Sequence, residues 1–475
     1  MATDYKSTVF LPRTDFPMKA GLPKREPEIL ERWRKMDIQA RHREAAKGRE
    51  KFILHDGPPY ANGHLHIGHA LNKILKDIIV RSQQMMGRDA NYVPGWDCHG
   101  LPIEWKIEEK YRDKKKDKDE VPVVEFRQEC REFAERWIDI QREEFKRLGL
   151  IGDWDNPYTT MSYAAEAQIV REMGKFLMDG SLYRGAKPVM WSPVEKTALA
   201  EAEIEYHDHT SMTVYVRFPV SVTKKNFLND TAIVIWTTTP WTMPGNRAVA
   251  YGPDIDYAVI EIAAAADGSL AVPGEKLVIA EARLDAFCKD CGVSDYEIRE
   301  KFKGEVLAGT VCTHPLNGQG YDFEVPALGV DFATTEEGTG IVHIAPGHGA
   351  DDWVLGQANG IEIPRTVGED GCFYEHVAMF AGKHVYKVNE EVADALEAAG
   401  GLLARGKLTH RYPHSWRSKA PLIFRNTTQW FISMETTGLR DKALKAIDET
   451  RFVPETGKKR LRGMIETRPD WCVSR

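Results

Sequence analysis

Apolar residues between positions 67 and 79 recur at the spacing of one helical face. Ile67, Leu71, Ile74, Leu75, Ile78 and Ile79 are separated by four, three, one, three and one positions. This predicts an amphipathic helix from Ile67, with Gly87 placed to stop it. A strand-like run, Phe52-Ile53-Leu54, precedes it across a loop rich in glycine and proline. Phe126, Cys130, Phe133, Trp137 and Ile140 mark one side of a second long helix, and the charged stretch DKKKDKDE at 113–120 reads as a solvated loop. Residues 51–190 thus alternate strand-like and helical segments, as a parallel α/β unit should. Near Trp191 the pattern changes. From about 210 to 380 it consists of short β-runs (Thr213–Phe218, Ala232–Trp236, Ala258–Ile262, Lys276–Ala280, Gly340–Ile344) between turns, which predicts an inserted, β-rich domain. From Arg411 the earlier register resumes. Residues 1–50 are polar and mixed, with Pro23 and Pro27 ahead of a short helical stretch around Ile29–Met36.

Composition changes this picture little. The 475 residues carry a net charge of −7, so a nucleic-acid partner would have to meet a local basic surface. Seven cysteines without a secretory segment indicate a reducing cytoplasm, and no apolar run reaches membrane-spanning length. Cys288-Lys289-Asp290-Cys291 is a lone CxxC without a second ligand pair, so structural or surface cysteines are expected there rather than zinc.

The loop before the first helix carries the chemistry. His66 and His69 stand at the helix N-terminus, where free backbone N–H groups and the helix dipole favour an anion. Their i, i+3 spacing puts both imidazoles on one face, and Gly68 between them leaves room for a flat ligand. A nucleoside triphosphate fits such a site, although no GxxxxGK[ST] loop occurs. His66-Ile67-Gly68-His69 resembles the HIGH motif of the class I aminoacyl-tRNA synthetases. The flanks, Asp56-Gly57-Pro58-Pro59-Tyr60-Ala61-Asn62-Gly63 and Pro94-Gly95-Trp96-Asp97-Cys98-His99-Gly100-Leu101-Pro102-Ile103-Glu104, resemble the isoleucyl branch of that family rather than its valyl or leucyl branches.

The resemblance implies an α/β fold, a Rossmann-type parallel-sheet catalytic domain with a β-rich editing domain inserted in it. The corresponding parts are an extension (1–50), a first catalytic half (51–195), the insertion (196–408) and the start of a second half (409–475). It implies that isoleucine, ATP with Mg²⁺, and tRNA(Ile) are joined through an isoleucyl-adenylate by a cytoplasmic monomer. His66, Gly68 and His69 would hold ATP, the two histidines stabilising the adenylation transition state. Gly57, Pro58 and Asp97 would hold isoleucine, with Asp97 on its ammonium, and Trp430 and Trp471 would close around the side chain. The alternative reading of these two is as simple core tryptophans.

A second cluster lies in the β-rich part: Trp236-Thr237-Thr238-Thr239-Pro240-Trp241 with Asn246, and Gly338-Thr339-Gly340-Ile341-Val342-His343 with Asp351-Asp352. Three consecutive threonines cannot all face one side of a strand, so the strand should break there. By themselves these stretches read better as turn glycines and capping threonines. The resemblance makes them an editing pocket, in which Thr237, Thr238, Thr239 and Asn246 bind the terminal adenosine and order water. His343 would sit beside the substrate and Asp352 on the α-ammonium. Such a pocket answers a physical need, since valine lacks one methylene, worth only ~1–3 kcal/mol in an apolar site. No KMSKS loop or close variant occurs, and the expectation is the N-terminal part of a longer synthetase. A hydrolase acting in trans on mischarged tRNA is the alternative from another class.

Overall fold

The computed structural model describes residues 5–10, 14–15 and 19–474. Contacts divide the chain into two compact units, Met1–Gly174 and Lys175–Arg475. The first holds α1 (Leu22–Lys35), α2 (Ile38–Ala45), α3 (Ile67–Met85), β1 (Gly95–Trp96), α4 (Leu101–Asp113), α5 (Val123–Arg147) and β2 (Tyr158–Thr159); α6 (Tyr163–Met178) crosses the boundary. Its pairings among the described residues are all parallel: β1 with β2, and single bridges Lys51↔Asp89 and Tyr60↔Asp97. Helix α1 starts earlier than expected, because Pro23 sits in the first turn, where a missing N–H costs nothing, and Pro27 lies inside the helix.

The helix predicted from Ile67 forms as α3, and Gly87 follows it at φ 88°. Its apolar stripe is nevertheless exposed, from Ile67 to Ile79, while Lys73 and Val80 are the buried positions. The core of this unit gathers Val80, Tyr92, Trp96, Ile103, Phe145 and Trp154. In α5 the buried line is Ala134, Ile138, Gln141 and Phe145, with the predicted Cys130, Phe133 and Trp137 on its flank.

The second unit runs β3 (Leu182–Ser192), β4 (Thr197–Ala198), β5 (Ile204–Val222), β6 (Thr231–Thr237), β7 (Ala248–Tyr251), β8 (Asp256–Ala265), β9 (Lys276–Ala280), α7 (Leu284–Cys291), β10 (Val293–Lys303), β11 (Val311–Thr313), β12 (Glu324–Gly329), β13 (Ile341–Ile344), α8 (Ala350–Ala358), α9 (Asn389–Ala398), β14 (Leu402–Ser415), β15 (Ile423–Ile432), α10 (Leu439–Glu449), α11 (Thr456–Glu466) and β16 (Trp471–Cys472). The predicted β-runs fall on β5, β6, β8, β9 and β13. The large sheet is ordered β10-β8-β9-β6-β5-β11-β12-β7-β13, with β14 also on β5 and β13 curling back beside β6. Its core packs Val214, Val216, Phe218, Ile233, Ile235, Met243, Val259 and Val278. The chain leaves along β5 and returns along β14, paired from Ile204↔Ser415 to Val216↔Leu402. β3 likewise pairs with β15 from Trp191↔Ile423 to Leu182↔Ile432. The fold is therefore α/β, with a β-rich segment between two paired host strands. Among the described residues no helix is long and apolar enough to cross a membrane, and no group of three His, Cys, Asp or Glu could hold a metal ion.

Candidate functional site

The DGPPYANG loop is held from three sides. Asp56, almost wholly buried, accepts from Lys73 and Lys76 of α3, and from the Tyr92 hydroxyl at 2.8 Å. These donors outweigh burial and keep its carboxyl below the ordinary range, while burial lowers the Lys73 ammonium. Gln141 of α5 donates to the carbonyls of Tyr60 (3.1 Å) and Gly63 (2.7 Å) and accepts from Trp96 Nε1 at 2.9 Å. Glu144 accepts from Leu65 N at 3.0 Å and pairs with His64 at 2.5 Å.

So braced, the loop delivers His66 as the N-cap of α3. Gly68 N donates to His66 Nδ1 (3.1 Å), and His66 N donates to His69 Nδ1 (3.3 Å). Both Nδ1 atoms are thereby acceptors, which fixes the neutral rings with their protons on Nε2. The rings lie 3.9 Å apart, tilted by 32°. Burial first, then the neighbouring His66 and Lys73, lower the His69 pKa and favour its neutral form. Gly68 has a reason different from the one expected: a Cβ there would lie 2.9 Å from His66 Cε1, so the histidine itself fills that space.

Asp97 lies in the same unit, joined to the loop by Asp97 N to Pro59 O (2.9 Å) and Ala61 N to Asp97 O (3.0 Å). Its Oδ1 is 3.4 Å from both His99 N and Thr160 Oγ1. Gly95 packs on Pro58, where a Cβ would come within 3.4 Å of the Pro58 Cβ, and Gly57 is open. The structure thus brings Gly57, Pro58 and Asp97 to neighbouring parallel segments beside the histidine helix. Trp430 and Trp471 belong to the second unit. The β15–β16 register, Ile432↔Trp471, places them diagonally on one face, and both are nearly half exposed, so neither is a core residue.

The threonine cluster assembles wholly within the second unit. β6 ends at Thr237, whose Oγ1 accepts from Thr239 N (3.1 Å) and lies 3.2 Å from Thr239 Oγ1; Thr238 sits between them, partly exposed. Thr242, not foreseen, donates to Thr239 O (2.8 Å) or meets His343 Nε2 (2.9 Å). Asn246 Nδ2 lies 2.8 Å from His343 Nδ1 and 2.9 Å from Ala248 O, while its buried Oδ1 has no partner. Burial drives His343 down to about 3, so it is neutral. Asp352, in the first turn of α8, accepts from Ala345 N at 2.8 Å, and Gly349 leaves space for its carboxyl. Burial pushes its pKa up to about 6, and no cation pairs with it among the described residues. His348, also unforeseen, lies 2.9 Å from Phe424 O and 2.6 Å from Thr366 Oγ1, tying this loop to β15. Cys288 and Cys291 lie on α7, their thiols raised by burial.

The family described as tRNA synthetases class I (I, L, M and V) matches residues 28–475. The chain belongs to this family. It is 57 % identical over 470 residues to a protein of Pelagibacter ubique (strain HTCC1062), covering 99 % of this chain and 52 % of that one. It is 56 % identical over 485 residues to a protein of Gluconobacter oxydans (strain 621H), covering 99 % and 50 %. A protein of Rhodopseudomonas palustris (strain ATCC BAA-98 / CGA009) is 54 % identical over 506 residues, covering 99 % and 50 %. All three are named isoleucine–tRNA ligase. The chain spans about half the length of these relatives. Class I membership gives the histidine helix its family context, and the Nδ1 hydrogen bonds give it a physical one.

Proposed function

We propose that this chain carries the amino-acid activation and editing chemistry of an isoleucine–tRNA ligase. Isoleucine, ATP and tRNA(Ile) would be its substrates, with Mg²⁺ entering as the counter-ion of ATP. The observation that carries the reading is the pair of Nε2–H donors that His66 and His69 present at a helix N-terminus. An isoleucine carboxylate oxygen attacks the α-phosphorus in line, and pyrophosphate leaves with the P–O bonding pair. The two Nε2–H groups donate to phosphate oxygens as charge accumulates there, which costs no reorganisation because the backbone already fixes the rings. Asp97 neutralises the isoleucine ammonium, with Gly57 and Pro58 beside it. The choice of isoleucine is supported by the names of the relatives and by the residues flanking the HIGH motif.

The threonine cluster is read as the hydrolytic site for mischarged Val-tRNA(Ile). Asp352 lacks a cation and so suits an incoming α-ammonium. Thr237, Thr238 and Thr239 offer hydroxyl groups to the terminal adenosine and to water, while Asn246, fully buried with its amide nitrogen held by Ala248 O and His343 Nδ1, orients the neutral His343 ring rather than touching the adenosine. Pre-positioned water needs no metal to hydrolyse an activated ester. A hydrolase acting in trans stays as a second reading, favoured by the confinement of this cluster to one unit.

Calorimetric titration of the chain with non-hydrolysable isoleucyl-, valyl- and leucyl-adenylate analogues tests the ligase reading. The isoleucyl analogue should bind tightest, and His69→Ala should weaken it. Tighter binding of the valyl or leucyl analogue would replace isoleucine. Deacylation of Val-tRNA(Ile) without ATP, abolished by Asp352→Ala, tests the editing reading; full activity of that variant would remove the pocket assignment.

A further inference from the structure

The chain is acidic overall, yet residues 439–468 hold nine Lys and Arg against five Asp and Glu. This stretch forms the helix pair α10 and α11. Part of its charge is internally satisfied: Lys458 and Arg462 pair with Asp448, Arg462 also with Glu466, and Lys445 with Glu449. Lys459 and Arg460 are not; both are exposed, and neither is ion-paired among the described residues. They stand one turn before Gly463, at i−4 and i−3, and so share its face of α11. A glycine inside a helix is unfavourable for folding, and here packing gives it no reason: a Cβ at Gly463 would meet nothing within 4 Å. No residue of α11 is buried.

A bare patch of helix backbone flanked by two uncompensated cations suits a bulky, repeating polyanion that must approach closely. Phosphates take the two charges, and the missing side chain makes room for the sugar–phosphate ridge between them. We propose that the Lys459–Arg460–Gly463 face of α11 is a docking surface for an RNA duplex backbone. On the ligase reading, on which this inference rests, that duplex is a helical stem of the tRNA. Contacts of this kind position the RNA and carry no sequence information.

The test is filter binding of a tRNA(Ile) transcript to the chain between 50 and 200 mM KCl. Lys459→Glu/Arg460→Glu should weaken binding at least tenfold at the low-salt end and reduce the slope of log K against log salt by about 2, because two phosphate contacts are lost. Gly463→Leu, which keeps every charge, should weaken binding at least threefold while the melting temperature holds or rises; a merely structural glycine would not give that combination. A transcript of another tRNA should bind this face equally. Unchanged affinity and slope in both variants overturn the surface, as does wild-type chain that binds no tRNA. The adenylate-analogue titration reports on the ligase reading separately, so intact analogue binding beside insensitive tRNA binding rejects the surface alone and points to a protein partner.

Discussion

Replacing Asp352 with asparagine should stabilise the protein while abolishing deacylation. The carboxyl is desolvated, accepts from backbone N–H groups, with Ala345 N at 2.8 Å, and has no paired cation among the described residues. Its pKa is raised to about 6 in the folded chain, against an ordinary value near 4. At 1.36 kcal/mol per pKa unit, that displacement sets an upper bound of about 3 kcal/mol on what folding loses at neutral pH. Because the side chain keeps some contact with solvent, roughly 1–2 kcal/mol is the expected gain. The sign follows from proton linkage. A raised carboxylate pKa makes the folded state bind more protons than the unfolded state, so the penalty is absent below about pH 4, grows between about pH 4 and 6, and stays constant above. For a unit of this size the gain corresponds to roughly 2–5 °C in melting temperature. Thermal denaturation of wild-type and Asp352→Asn chains from pH 4 to 8 should show the two curves together at pH 4 and separated by that amount at pH 7 and 8. Val-tRNA(Ile) hydrolysis by the wild type should decline as the pH falls through 6. A variant less stable than wild type at pH 8, or a gap independent of pH, would refute the claim that this carboxylate is held without a cation.

Asp56→Ala should cost about 3–5 kcal/mol in urea denaturation, because it strands the buried Lys73 ammonium; adding Lys73→Met should recover part of the loss. Gln141→Leu leaves Trp96 Nε1 and the Tyr60 and Gly63 carbonyls without their partner, and should cost roughly 2–4 kcal/mol by the same assay. Gly68→Ala should weaken adenylate-analogue binding at least tenfold by displacing the His66 ring, with an unchanged or higher melting temperature, since alanine is the better helix former; calorimetry beside a thermal melt separates the two effects.

Apolar spacing located α3, α5 and the principal strands of the large sheet, since those elements bury or present a regular stripe. It could not tell that the stripe of α3 from Ile67 to Ile79 is exposed, because periodicity reports a face and not what covers it. The brief parallel pairings around Lys51, Tyr60 and Gly95 are too short to alternate. The histidine pair was legible from its position at a helix start, but the Nδ1 hydrogen bonds that orient it depend on backbone geometry. Asp56, Lys73, Gln141 and Glu144 were missed because ordinary polar residues gain their roles only through partners 17 to 81 positions away. Thr242 and His348 escaped for the same reason, although both lie within a few positions of residues that were singled out.

The pairing of β5 with β14 has a topological consequence. Ile204 and Ser415 are direct partners, so the 210 residues between them begin and end at one place, next to the paired host strands β3 and β15. Such a segment behaves as a cassette. It could be replaced by a tight hairpin turn without lengthening any host connection, or lifted out with its own termini side by side and grafted into another exposed turn. A module with that geometry can be acquired, exchanged or discarded by recombination while the sheet that carries it keeps its register.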